Sequence, residues 1–347
     1  MGFQPMWSIH HGRDARATFR SEADLPDFVI LANVRWNRDG EGRGGNSSAQ
    51  YADAIMRRGW RVSFLQKDGA NHLTPLAELA LGPQTVVMCD MPWVDFYLEL
   101  FVSLQRRGCR TVYRIVDNWL LTHRQAEYRE EREIEFIRTA DAVFASNPLN
   151  IERFRRVRDD ITLLRNGVDL DYLRCRREKP ADLRRGNPTA VFSASFWDPT
   201  WVDWEALLYA ADTRPELALN ILGAAAGLPK RKLPPNLHLL GRRPWSDLPA
   251  YLQHAEVGLV AYDAARTSYT NPLKVLEYLA SGLPVVASPN PSLEDYPYVF
   301  FYRSPQEFVE QISAAAAVEI DREALYRTLQ QHTWEARLDQ LLTKLKL

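Results

Sequence analysis

The stretch TNPLKVLEYLASGLPVVA, residues 270–287, decides the fold class. Asn271 is a favoured N-cap residue, and Pro272 is tolerated best at the first position of a helix, so a helix is predicted over Pro272–Ala280. The apolar run Pro284–Ala287 then predicts a buried strand. A helix joined to a buried strand by a short glycine-containing turn is typical of a parallel α/β sheet.

The same alternation extends in both directions from this stretch. Gly59 and Gly108 each follow an arginine pair that ends a predicted helix and precedes a predicted strand. The fold class is therefore predicted as α/β, with two Rossmann-like doubly wound domains and a cleft between them. The predicted strands are Phe28–Ala32, Trp60–Leu65, Thr85–Cys89, Arg110–Val116, Ala142–Ala145, Ile161–Leu164, Ala190–Ser193, Ala218–Leu222, His238–Leu240, Val257–Ala261, Pro284–Ala287 and Val299–Tyr302.

The chain has 347 residues, enough for two domains. Residues 1–26 lack helix or strand periodicity and are predicted to be a disordered or foreign extension. Residues 27–175 are expected to form the first Rossmann-like domain and residues 189–331 the second. The segment 176–188 is charged and rich in Pro and Gly, which predicts a hinge. Residues 332–347 are predicted to form a closing amphipathic helix.

Composition excludes several classes of protein. The formal net charge is −1, which argues against a nucleic-acid binder with a global basic field. No apolar run approaches the roughly 18 residues of a membrane span. Three isolated cysteines exclude a disulfide framework and a CxxC metal site. We therefore expect a cytoplasmic enzyme or binding protein.

The predicted helix over Pro272–Ala280 carries groups suited to a nucleotide. Its first-turn N–H groups and dipole favour an anion. Lys274, Glu277 and Ser281 share one face, while Leu273, Leu276 and Ala280 are expected to pack on the sheet. Lys274 is one of only 7 lysines beside 36 arginines, and it suits a diphosphate as Glu277 suits ribose hydroxyls. A surface ion pair between Lys274 and Glu277 is the alternative interpretation.

With its surroundings, this string resembles the PLKxxEYLAxGxPVVAS segment of GT-B glycosyltransferases, particularly those like glycosyltransferase family 4. Three further segments agree in order: Gly44-Gly45 before the first helix, Arg165–Asp169 before the hinge, and Asn236–Arg243 around a strand. The resemblance spans roughly residues 28–345. It implies a GT-B fold and transfer from a nucleotide-sugar. Residues 27–175 would then form the acceptor domain, residues 189–331 the donor domain, and the helix in 332–347 would cross back to the first domain.

By this resemblance, Glu277 matches the second Glu of the EX7E motif, which binds ribose. The first Glu of that motif would fall at Tyr269 and is absent. A retained Glu beside Asn-Pro-Leu-Lys looks closer to exopolysaccharide glucuronosyltransferases and teichuronic-acid-type transferases. The resemblance thus implies transfer of a hexosyl or glucuronosyl group, expected from a UDP-sugar. It also implies a sugar or lipid-linked acceptor and weak peripheral contact with the inner face of the membrane.

Asp117 is the candidate catalytic base, because it follows a first-domain strand and inverting transfer needs a base near the acceptor hydroxyl. Capping of the following helix is the alternative role for Asp117. Asp90, after the preceding strand, is the second candidate. The family-4 pattern often has His-Asp here, whereas Val116 precedes this Asp.

The remaining expected site residues fall into two groups. Simple loop flexibility, solvated loop charge and aromatic packing are the alternative roles for several of them. The donor site is expected to comprise Glu277, Lys274, Leu273, Asn271, Tyr262, Arg243 and Trp197, and the acceptor or phosphate loop Gly44, Gly45 and Asn46.

No metal or other cofactor is expected. Asp169-Leu170-Asp171 reads as the D-x-D metal motif of another transferase fold, but its position after Asn166-Gly167 favours a turn. Two alternatives to a glycosyltransferase stay open. They are a non-catalytic two-lobed protein that binds nucleotide-sugars and an epimerase of the same fold.

Overall fold

The computed structural model describes residues 25–32, 46–121, 126–194, 199–223 and 228–347. Two twisted sheets dominate these residues, each with helices on both faces. We refer to the first sheet with its helices as the first lobe and to the second as the second lobe.

The first sheet has seven strands in the order β3-β2-β1-β4-β5-β6-β7. All neighbouring pairs are parallel except β2 and β3. The central strands are buried on both faces, as their unbroken apolar sequences predict. The strands are β1 (Asp27–Ala32), β2 (Val62–Gln66), β3 (Asn71–Leu73), β4 (Thr85–Cys89), β5 (Arg110–Ile115), β6 (Ala142–Ala145) and β7 (Thr162–Leu163).

The helices of this part of the chain are α1 (Ser47–Arg57), α2 (Tyr97–Arg106), α3 (Glu130–Thr139), α4 (Pro148–Phe154) and α5 (Leu170–Arg174). Helix α1 packs on one face of the first sheet, and α2 and α3 cover the other. Helix α5, although it follows the first sheet in sequence, packs into the second-lobe core.

The second sheet has six parallel strands in the order β10-β9-β8-β11-β12-β13. Its strands are β8 (Thr189–Ser193), β9 (Ala218–Leu222), β10 (Leu237–Gly241), β11 (Val257–Val260), β12 (Val285–Ala287) and β13 (Val299–Phe301). The remaining helices are α6 (Trp204–Thr213), α7 (Leu248–Leu252), α8 (Ala264–Thr267), α9 (Leu273–Ala280), α10 (Pro305–Ala317), α11 (Arg322–Gln330) and α12 (Trp334–Leu345).

The chain passes from the first lobe to the second earlier than the sequence predicts. Leu164 belongs to the first-lobe core, whereas Val168 and Leu183 belong to the second-lobe core. Asp182 also accepts a hydrogen bond from the Tyr251 hydroxyl at 2.8 Å. The segment 176–188, predicted as a hinge, is therefore packed on the second lobe. Its charge and proline content indicate a surface segment but do not reveal these contacts.

The outgoing and returning chain segments lie side by side. The Val168 N–H donates to the His332 carbonyl at 2.9 Å. A Cβ at Gly167 would lie 2.8 Å from the Trp334 ring, so only glycine allows this approach. Helix α12 then packs in the first-lobe core, where Trp334 meets Tyr51 edge-on at 5.0 Å.

Most predicted elements are present with boundaries shifted by one to three residues. Strand β3 was missed, since it has only three residues and lies at the sheet edge, antiparallel to β2.

Candidate functional site

Helix α9 begins one residue later than predicted, and Asn271 is not its N-cap. Pro272 occupies that position and has no side-chain acceptor for the first-turn N–H groups. The Asn271 side chain instead accepts from the Asn166 N–H at 2.7 Å and donates to the Ser292 hydroxyl at 3.0 Å. The predicted capping role is therefore wrong, because Asn271 joins α9 to the segment that crosses between the lobes.

Lys274 lies in the first turn of α9 among aromatic groups. Its Nζ is 4.4 Å from the ring centre of Tyr262 and 5.3 Å from that of Phe192, and it contacts the Tyr262 hydroxyl. Phe192 is in β8 and Tyr262 follows β11, so the ammonium lies near the carboxyl ends of two neighbouring strands. The structure thus brings the predicted residues Lys274 and Tyr262 together.

Glu277 is buried one turn further along α9. Its Oε1 accepts a hydrogen bond from the indole Nε1 of Trp245 at 2.8 Å. Burial raises the pKa of Glu277, and the Trp245 hydrogen bond and the charge of Lys274 oppose that shift. Among the described residues no group donates to Oε2. The carboxylate therefore keeps one oxygen able to accept from a ligand.

Two other predicted donor residues are placed differently. Leu273 packs against the first-lobe core rather than on its own sheet, unlike Leu276 and Ala280, which are buried in the second lobe. Arg243 is held by Asp182 and by the Tyr251 hydroxyl at 2.8 Å. Arg243 is therefore fixed against the segment predicted as a hinge, and no contact joins it to Lys274 or Glu277 within the described residues.

A row of asparagines joins the loop before α9 to the first lobe. Asn147, the N-cap of α4, donates from Nδ2 to the carbonyls of Ser268 and Thr270, both at 2.8 Å. Asn150 donates to the Tyr269 carbonyl at 3.0 Å, and Asn290 donates to the Thr270 carbonyl at 3.1 Å. Asn147 and Asn150 thus pair backbone carbonyls of this loop across the lobe boundary, and Asn290 pairs one from within the second lobe.

This row connects the two lobes at the ends of their strands. The Ser146 hydroxyl donates to the Val116 carbonyl at 2.9 Å, next to Asp117. Ser146 is followed by Asn147, which holds Thr270 four residues before Lys274. Two hydrogen bonds, linked through the backbone of Ser146 and Asn147, therefore join the residue before Asp117 to the loop before α9.

Asp117 follows β5 and is half-buried. Burial, reinforced by the negative charges of Asp90 and Glu133, raises the pKa of Asp117 to about 8. The capping alternative is contradicted, because Asn118 rather than Asp117 accepts from the Leu120 N–H, at 3.2 Å. Asp117 is therefore a carboxyl group at a strand end whose proton affinity suits exchange near neutral pH.

Asp90, the second candidate, is committed to a buried polar cluster. Its Oδ2 accepts from the Ser48 hydroxyl at 3.0 Å and pairs with Arg114 at 3.4 Å. Arg114 also contacts the Ser47 hydroxyl and the Asn166 side-chain oxygen. These contacts favour a structural role for Asp90, which links β4, β5 and the start of α1.

Glu133 and Trp245 are residues that the sequence analysis missed. Glu133 is fully buried and accepts from the hydroxyls of Tyr113 at 2.9 Å and Tyr128 at 2.5 Å, and burial raises its pKa to about 7. Its spacing from Phe136 and Ile137 places it on the apolar face of α3, a signal that could have identified it. Nothing in the sequence indicates that Trp245 bonds Glu277.

The N-terminus of α1 is capped by the side chain of a predicted loop residue. Asn46 accepts from the N–H groups of Ser48 and Ala49. Gly44, Gly45 and Trp197 lie outside the described residues, as do residues 1–24 of the predicted extension. Asp169, predicted to form a turn, instead caps α5 through the Tyr172 N–H at 3.1 Å and pairs with Arg57 at 3.0 Å.

Comparisons with known proteins agree with this architecture. Residues 200–343 match the family model described as glycosyl transferase-like. The comparison with curated proteins finds no match. The segment matched by the family model includes α9 with Lys274 and Glu277.

Solved structures with the same fold span nearly the whole chain. Sucrose-phosphate synthase from Thermosynechococcus elongatus is 18% identical with a TM-score of 0.61, over 92% of this chain and 99% of that one. Anabaena HepE in complex with UDP is 14% identical with a TM-score of 0.62, over 93% and 100%. A UDP-forming α,α-trehalose-phosphate synthase from Burkholderia xenovorans is 12% identical with a TM-score of 0.55, over 78% and 74%. The predicted GT-B fold is confirmed.

Proposed function

We propose that this protein transfers a glycosyl group from a nucleotide-sugar to the hydroxyl of an acceptor. The observation that carries the proposal is the pair Lys274 and Glu277. The two side chains lie one turn apart on α9, within the segment that matches the glycosyl transferase-like family model. A cation at a helix start and a carboxylate with an available oxygen match a diphosphate joined to a ribose.

The donor is proposed to bind along α9. The first-turn N–H groups have no side-chain cap, so they and the Lys274 ammonium are available to the diphosphate. The ribose hydroxyls would donate to Glu277. Tyr262 and the loop residue Trp197 are proposed to contact the sugar or base, while the contacts of Arg243, Leu273 and Asn271 support indirect roles.

Asp117 is proposed as the general base that acts on the acceptor. It would take the proton of the acceptor hydroxyl while that oxygen bonds to the anomeric carbon of the sugar. The bond from that carbon to the diphosphate oxygen breaks in the same step, and Lys274 stabilises the charge on the departing nucleoside diphosphate. The glycine loop ending at Asn46 is proposed to border the acceptor or phosphate.

The finer features of the reaction are part of the same proposal. We propose a UDP-linked hexosyl or glucuronosyl donor, supported by the binding of UDP-glucose and UDP in Anabaena HepE. We also propose that transfer needs no metal, since Lys274 and the helix start supply the positive charge.

The acceptor is proposed to be a sugar or lipid-linked sugar met at the membrane surface. Within the described residues, no helix is long and apolar enough to cross a membrane. Arg57, Arg58 and Arg153 are engaged in ion pairs, whereas Arg106 and Arg107 at the end of α2 are exposed and are the better contact for anionic lipid. Sedimentation with anionic and neutral vesicles tests this part, and equal binding to both would contradict it.

Release of nucleoside diphosphate from a panel of UDP-, GDP- and TDP-sugars tests the central proposal. We expect release to depend on both the correct donor and a hydroxyl acceptor. Binding without release would indicate a non-catalytic binding protein, and conversion of the sugar without an acceptor would indicate an epimerase. Thermal stabilisation by each nucleotide-sugar identifies the donor beforehand.

A further inference from the structure

Trp245 lies directly beside the carboxylate proposed to bind ribose. It begins the single turn of 3-10 helix between β10 and α7, and its side chain is 9% exposed. Its indole Nε1 donates to Glu277 Oε1 at 2.8 Å, and both groups are buried. A hydrogen bond from a neutral donor to a buried carboxylate is charge-assisted and strongly directional.

The Trp245 ring is fixed from a second direction. Tyr172 of α5 stacks on it with ring centres 4.4 Å apart and ring planes 12° apart. The Tyr172 hydroxyl donates to the Ser246 carbonyl at 3.2 Å, which holds the tyrosine against the same turn. The face of the indole is thus packed and its N–H edge points at Glu277, so the indole is held in one orientation.

The two oxygens of the Glu277 carboxylate differ in their hydrogen bonds. Oε1 is held by the indole, while no described residue donates to Oε2. Since a carboxylate is planar, fixing Oε1 also fixes the direction of Oε2. Burial alone favours the protonated form of Glu277, and the indole N–H stabilises the ionised form that accepts hydrogen bonds.

We propose that Trp245 is the positioning residue that aims Glu277 at the ribose hydroxyls of the nucleotide. The proposal rests on the proposed function, in which Glu277 accepts from those hydroxyls. It adds that affinity for the ribose depends on an indole in a different element, held by the helix that follows the crossing between the lobes. Trp245 contacts Glu277 and would affect ribose binding only through that carboxylate.

Calorimetric titration of the full chain with UDP and with 2′,3′-dideoxyuridine 5′-diphosphate tests the proposal. Trp245→Phe keeps a ring against Tyr172 and removes only the N–H donor. We expect this variant to bind UDP about 5- to 10-fold more weakly, because a hydrogen bond to a charged group is disturbed, and to bind the dideoxy analogue as the wild type does. Trp60→Phe, the same substitution at a first-lobe indole that stacks on Phe28, is the matched control and should bind both ligands unchanged.

The two ligands separate failure of this inference from failure of the proposed function. Equal affinity of the wild type for both ligands would show that no ribose hydroxyl is recognised and would overturn both. Discrimination that is lost in Glu277→Ala but retained in Trp245→Phe would overturn the role of Trp245 alone.

A measurement on the wild type covers the case in which Trp245→Phe does not fold. The indole N–H resonance of Trp245 should shift when UDP binds and stay in place with the dideoxy analogue, because only UDP adds hydroxyl donors to the same carboxylate. An equal response to both ligands would count against the proposal.

Discussion

The donor helix α9 and the strand ends of the first lobe place their charged groups by different means. Lys274 and Glu277 lie one turn apart on a single helix, so their separation follows from the 3.6-residue period. Asp90, Asp117 and Glu133 come from the ends of two strands and from a helix, and they influence one another only because the fold brings them together.

This difference decides what each region can do. On α9, the cation and the carboxylate are opposite in charge, and Lys274 favours the ionised form of Glu277. At the first-lobe strand ends, burial and then the neighbouring negative charges of Asp90 and Glu133 raise the pKa of Asp117 to about 8. A helix suited to an anion and a carboxyl suited to proton exchange thus arise from opposite electrostatic environments.

The largest expected effect distinguishes the two regions directly. Asp117→Asn should lower kcat by about 10²- to 10⁴-fold, the usual contribution of a general base, and leave the Kd for UDP nearly unchanged. Steady-state kinetics and calorimetry measure the two quantities. Asp95→Asn, an exposed change in the same lobe, is the control. A near wild-type kcat would remove Asp117 from the mechanism and direct attention to Asp90.

On the donor helix the expected effects are reversed. Glu277→Ala should weaken UDP binding by about 1.5–3 kcal/mol, the range for hydrogen bonds to a charged group, and Lys274→Ala should act similarly. Calorimetry gives the affinities, thermal melting checks the fold, and Glu310→Ala on the exposed side of α10 is the control. Unchanged UDP affinity in both variants would contradict the donor assignment.

The hydrogen bonds of Asn147, which form the junction between the first lobe and the loop before α9, should affect both stability and donor binding. Asn147→Ala removes the donors to Ser268 and Thr270 and is expected to lower the free energy of unfolding by about 1–3 kcal/mol. It should also raise the KM for the donor, because those carbonyls lie just before α9. Asn236→Ala removes two similar bonds inside the second lobe and should lower stability alone. The same KM change in both variants would show that the junction does not position α9.

The raised pKa of Asp117 also predicts a pH dependence of stability. The folded protein holds this proton more tightly than the unfolded chain, so the stabilisation present below about pH 4 is lost as the pH rises to about 8. Each pKa unit corresponds to about 1.4 kcal/mol. Denaturant unfolding from pH 4 to 9 should show a smaller fall for Asp117→Asn than for the wild type. Activity should rise through the same pH range only in the wild type, and parallel stability curves would contradict the pKa shift.

Chelation should have the smallest effect. Asp169 is engaged in capping α5 and in pairing with Arg57, and Lys274 supplies charge for the diphosphate. We therefore expect turnover to persist in EDTA. Loss of activity that magnesium or manganese restores would show that Asp169 and Asp171 serve a metal after all.

The sequence predicts the bounds of some segments to the residue and misassigns the role of others. The strands Thr85–Cys89 and Ala142–Ala145 are predicted to the residue, because unbroken apolar runs between turn signals identify buried parallel strands. The segment 176–188 has the composition of a hinge but packs on the second lobe, since local charge does not reveal the contact between Asp182 and Tyr251. Asn271 likewise has the sequence signal of an N-cap but forms its bonds with distant Asn166 and Ser292.

The sequence by itself determined the alternation of strands and helices and the placement of Lys274 and Glu277 one turn apart, because both depend on periodicity within a few residues. Its ordered motifs implied the GT-B fold. The tertiary structure alone decided that Trp245 holds Glu277, that Asn147 joins the lobes and that Asp117 has a raised pKa. These features depend on burial and on distances between residues far apart in the chain. Burial and distance set the strength of charges and hydrogen bonds, and they exist only once the chain has folded.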